Sequence, residues 1–151
     1  MSRPESEPSA IDRVVAWMIL GPSVLVAAGL IVKGYAEVGD GFGAGVIVSL
    51  AIAVIYIAFG TAGAETALPL LRYAPATAIG GLLLALASGF FPVALGDPPV
   101  THQPRPGGHV IKIGTLELFT PFVFDVGIFL LVVGVLTVLL HQLAHREEDF
   151  G

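Results

Sequence analysis

Residues 119–140 read FTPFVFDVGIFLLVVGVLTVLL, a run in which Asp125 is the single ionisable side chain. About 20 predominantly apolar residues are enough to cross a bilayer as a helix. Working outward, no Asp, Glu, Lys, Arg or His occurs in 14–32, 41–64 or 73–96. Each of these intervals is also long enough to span. The pattern predicts an all-α integral membrane protein with four transmembrane helices, near 14–32, 43–61, 74–95 and 118–141. A long Pro/Gly-rich connector, 96–115 (GDPPVTHQPRPGGHVIKIGT), separates helices three and four.

Composition agrees with that reading. Only 13% of the 151 residues are charged and 55% are hydrophobic, against roughly 25% charged in soluble domains. The length suits one membrane domain over 1–151. The chain has no cysteine, which excludes disulfides and thiolate metal or redox chemistry. A formal charge of −5 argues against nucleic acid, which needs a basic footprint. The first apolar run is too long for a signal peptide, and acidic residues precede it.

The remaining segments read as connectors. Residues 1–12 are polar and contain proline, 62–73 form a turn with Glu65 and Arg72, and 142–151 end in an acidic cluster. Within the long connector, HVIKI (109–113) alternates like a short strand and suggests a small surface hairpin. Trp17 and Tyr73, near span ends, fit interfacial anchoring. Arg3, Arg13, Arg72 and Arg146 share the side of the termini, against Lys33, Arg105 and Lys112 opposite. That narrow excess places both termini in the cytoplasm.

Small residues mark helix faces. Helix two carries Gly45, Ser49 and Ala53 at spacing four, with Gly60 further on; helix three carries Gly81, Ala85 and Gly89. Such stripes let backbones approach closely in lipid, either within this chain or against neighbouring subunits.

Asp125 requires a reason, because a charge at the bilayer centre costs roughly 2.5–3.5 kcal/mol on insertion scales. One reason is structural. With Thr120 as cap and Pro121 as first residue, Asp125 falls in the second helical turn near the positive dipole end, with Phe119 and Phe124 as a hydrophobic staple. The other is a place in a proton or sodium route. Glu117, eight residues earlier, joins it if the helix runs through both.

A second charged group lies in KGYAEVGDGFGAGVIV, residues 33–48. The stretch lacks both the GxGxxG of a dinucleotide fold and the GK[ST] of a P-loop. Its glycines suit a turn that enters helix two closely packed. Lys33 can snorkel to the interface; Glu37 and Asp40 are either solvated or attract cations at a channel mouth. His141 and His145, spaced i,i+4, fit cationic side chains at a helix end better than a metal site. His102 and His109 lie in the connector.

Thr120, Pro121, Phe124, Asp125 and Gly127, followed by a valine-rich span, resemble the last helix of the MnhB family, the B subunit of Mrp-type multisubunit Na+/H+ antiporters. Residues 34–45 resemble that family's Gly-His-x-x-Pro-Gly-Gly-Gly-Phe-x-x-Gly run at Gly34, Gly39, Gly41, Phe42 and Gly45. Tyr35, Val38 and Asp40 depart from it. The resemblance implies a small integral subunit of a prokaryotic cell-membrane complex that exchanges a cation, Na+, for H+. It implies other subunits and the lipid bilayer as partners, no cofactor, no metal site and no enzymatic activity. It points to Asp125, Phe42 and the Gly39–Gly45 turn, while Lys33, Glu37, Asp40 and Glu117 come from the physics of their placement. The alternatives are the homologous membrane subunit of a membrane-bound hydrogenase or complex I-like redox pump, and a scaffold subunit that holds partners without touching ions.

Overall fold

The computed structural model describes residues 10–33, 40–94, 96, 98–99, 111–113, 116–118 and 120–150. Helix α1 is Ala10–Lys33, α2 is Gly41–Ala67, α3 is Ala74–Ala94 and α4 is Thr120–Phe150. A short 3-10 turn, Pro69–Tyr73, leads into α3. Strands β1 (Ile111–Ile113) and β2 (Leu116–Leu118) form an antiparallel pair ahead of α4. All four long helices are apolar enough to cross a membrane, so the chain is a four-span, all-α, multi-pass membrane protein.

Two boundaries differ from the expectation. Residues 62–67, read as turn, continue α2, which breaks instead at Gly60 with φ 68° and ψ −178°. Only glycine adopts that backbone readily. Gly60 is exposed and makes the break; it takes no part in the packing stripe of its helix. At the other end, α4 runs through the polar tail to Phe150. Apolarity marks where lipid ends, but Gln, Leu, Ala, Arg and Glu remain good helix formers beyond it.

The helices stand in the spatial order α1, α2, α4, α3, so the last helix in sequence fills the gap between α2 and α3. Ala16, Leu20, Ala27 and Ile31 of α1 bury against Ala44, Val48, Ile52 and Ile55 of α2. Phe122, Val126, Phe129 and Val133 of α4 close the other side of that cluster. Between α3 and α4 the contact is backbone on backbone. Gly127 lies against Ala85 and Gly81, and Gly134 against Ala78 and Ala74. Residues seven apart share a helix face, so Gly127 and Gly134 form one seam. Close approach of this kind is how helices associate in lipid, where burying apolar surface gives no gain. The outward faces are apolar: Leu25, Ile57 and Leu83 are exposed. Hydrocarbon is the solvent those faces fit.

Candidate functional site

The starts of α2 and α4 meet at one end of this row. Asp40 caps α2, accepting from the Gly43 N–H at 2.6 Å through Oδ1, while its carbonyl accepts from Ala44 N–H at 3.0 Å. A carboxylate at this position satisfies an otherwise orphaned donor and faces the positive end of the helix dipole. The next residue, Gly41, is buried, and its α-carbon lies so close to the Asp125 peptide that an added Cβ would overlap the Asp125 carbonyl. One turn on, Gly45 packs on α4 in the same manner; a Cβ there would come 2.8 Å from Val132 Cβ and 3.2 Å from the Phe129 oxygen.

Asp125 is therefore clasped from both sides. It is half-buried, in the second turn of a helix that starts at Thr120 and Pro121. On the α2 side Gly41 meets its backbone; on the α3 side Gly127 sits against Ala85, and the Phe124 ring covers Gly89, 3.7 Å from where a Cβ would stand. Three helices thus fix where Asp125 is presented. The short sequence Phe124, Asp125, Gly127 combines a ring that packs, a carboxyl and a seam residue in one turn.

Glu117 is on β2, with its Cα paired across the ladder to Lys112. The helix does not run through both Glu117 and Asp125, so they share no helix face. Lys33 ends α1 and is exposed, where a cation suits the negative end of the dipole. Phe42, 63% exposed, turns away from the rest of the chain. Gly34, Glu37, Gly39 and Phe119 lie outside the described residues. Among the described residues no group of three His, Asp or Glu side chains could hold a metal ion.

Two features have no counterpart in the sequence reading. Gly134 extends the α3–α4 seam, and its signal in the sequence is its seven-residue interval from Gly127. His141 does not end its helix: its Nδ1 lies 2.7 Å from Oε1 of Glu65 on α2, and its ring stacks on His145 at 5.6 Å. Glu65 and His141 are far apart in the chain, and only the α2–α4 packing reveals the pair.

The Asp40 cap sets an expectation. Asp40→Ala should destabilise the start of α2 by about 1 kcal/mol, while Asp40→Asn, which still accepts the Gly43 N–H, should cost little. Thermal unfolding of the detergent-solubilised protein measures both. If Asn destabilises as much as Ala, the cap is not what Asp40 contributes.

A family model described as a domain related to the MnhB subunit of Na+/H+ antiporter matches residues 11–138. The B subunit of the Na(+)/H(+) antiporter of Alkalihalophilus pseudofirmus is 34% identical over 139 residues, which cover 92% of this chain and 90% of that protein. The B subunit of the Na(+)/H(+) antiporter of Bacillus subtilis is 31% identical over 136 residues, 89% of this chain and 90% of that protein. The combined A/B subunit of a probable K(+)/H(+) antiporter of Rhizobium meliloti is also 31% identical over 136 residues, but these are 13% of its length.

Proposed function

The chain belongs to the family of domains related to the MnhB subunit of Na+/H+ antiporters, and from that premise we propose that it is a small membrane component of a multisubunit antiporter complex exchanging Na+ for H+. In that role it is part of a secondary active transporter and not an enzyme. Its partners are the other subunits, and both termini face the cytoplasm, in line with the slight excess of Arg on their side. The whole chain, 1–151, acts as one membrane domain.

One observation carries the assignment of a role in the ion route: Asp125, the single ionisable residue of 118–140, lies in a helical turn held by close contacts on two sides, from Gly41 at its own backbone and from α3 at Phe124 and Gly127. An intramembrane carboxyl held in place is expensive and marks ion or proton pathways. Asp125 is the residue we place on that route. Gly41, Gly45, Phe124 and Gly127 position it, and Lys33, Glu37 and Asp40 set the charge at its mouth. Phe42, directed outward, is a contact for a neighbouring subunit.

Purifying the tagged chain from its native membrane in mild detergent tests the partnership. The large antiporter subunits should co-purify with it at fixed ratio. Recovery of iron–sulfur or nickel-containing subunits instead would favour the redox-pump alternative.

A further inference from the structure

The second end of α4 carries a separate polar site, ~24 Å from Asp125 at 1.5 Å rise per residue. Glu65, Arg72, Thr137 and His141 line an open pocket of about 250 Å³ between the end of α2, the 3-10 turn and α4. That volume accommodates several waters, at roughly 30 Å³ each. Thr137 is 2% exposed, and among the described residues its hydroxyl has no hydrogen-bond partner. Ser49, Thr66, Thr77 and Ser88 each return their hydroxyl to the carbonyl four residues earlier; Thr137 does not. It also lines the neighbouring apolar cavity, so it marks the inner limit of the polar pocket. Thr137 closes the inner end of the pocket, while the Glu65 and His141 side chains are each 43% exposed, so water reaches that pair from the open side.

The charges decide what this water carries. Glu65 faces His141 from α2, Arg72 from the 3-10 turn and His145 from α4 itself, whereas α3 contributes only Ala74 and Pro75 to the lining. Arg72 is tethered to Tyr73, donating to its hydroxyl at 2.7 Å with the guanidinium 4.7 Å from the ring centroid. A fixed guanidinium opposes a bare metal cation, and too few carboxylate and imidazole ligands are present to hold one. A carboxylate and an imidazole at 2.7 Å instead handle a proton, since imidazole exchanges one near neutral pH.

We propose that the Glu65–His141 pocket is a hydrated proton-exchange site at the terminus end of the fold. His141 Nδ1–H donates to Glu65, and Nε2 takes a proton from a hydronium ion in the pocket, leaving water and an imidazolium–carboxylate pair. The reverse step returns the proton to water. His141 lies beyond residues 11–138, the part that matches the family, and the site is distinct from the Asp125 end.

The chain has no cysteine, which makes hydration directly measurable in the assembled complex. His141→Cys should react with a membrane-impermeant, cationic methanethiosulfonate, whereas Ser49→Cys, buried between helices, should not. This labelling is independent of any transport role. In everted vesicles, Glu65→Gln and His141→Gln should each move the pH of half-maximal antiport by about half a unit or more, in the same direction. The double variant should move it no further. An unreactive His141→Cys overturns the hydrated pocket; wild-type pH profiles in both Gln variants, or additive shifts in the double variant, overturn the proton exchange.

Discussion

Replacing Gly127 with Leu should abolish the packed chain. A Cβ at this position would already lie 2.6 Å from the Ala85 nitrogen and 3.0 Å from both the Ala85 α-carbon and the Gly81 oxygen. All three are backbone atoms, so no side chain can rotate away. Overpacking a well-filled contact costs about 1–3 kcal/mol for small insertions, and a whole isobutyl group against a backbone lies at or beyond the upper end. In lipid there is no compensating gain from burying the new side chain. The measurement is the amount of chain recovered in the assembled complex by native gel, expected to fall to a trace. Gly21→Leu is the control, since nothing lies within 4 Å of a Cβ there. Equal recovery of Gly127→Leu and the control would show that α3 and α4 do not meet at this seam.

Asp125→Asn should leave assembly intact and lower antiport by about tenfold or more. The amide has the same shape, so the contacts that Gly41 and Gly127 make with this turn survive. What is lost is a carboxyl that can bind a cation or a proton, and a tenfold fall in rate corresponds to about 1.4 kcal/mol. Initial rates of Na+-dependent proton release in everted vesicles, normalised to complex recovered, give the comparison. Unchanged transport would make Asp125 a structural residue of the second helical turn, stabilised by the dipole of α4.

The four spans were legible because charge is excluded from lipid and marks each interval clearly. The pairing of those spans was not. Small residues at spacing four in helix three announced a close contact, yet only the fold shows that Gly81 meets α4 and that Gly41 meets Asp125. Periodicity reports which face is small and is silent about which helix receives it. Gly60 illustrates a second limit: it continues the interval of a packing stripe, but its φ of 68° makes it a break. Glu117 shares no helix with Asp125 for a simpler reason, since the chain pairs as β1–β2 before α4 begins. The Glu65–His141 contact joins residues with no local pattern between them, so tertiary structure alone reveals it.

Placing Asp125 on an ion route has meaning only if the chain is a working part of the antiporter. Deleting its gene and restoring it on a plasmid, with Na+/H+ antiport read as dye-reported ΔpH in everted vesicles, puts that premise to the test. Antiport should disappear with the chain and return with it. Full antiport in vesicles that lack the chain would mean that neither Asp125 nor the helices that clasp it serve ion exchange.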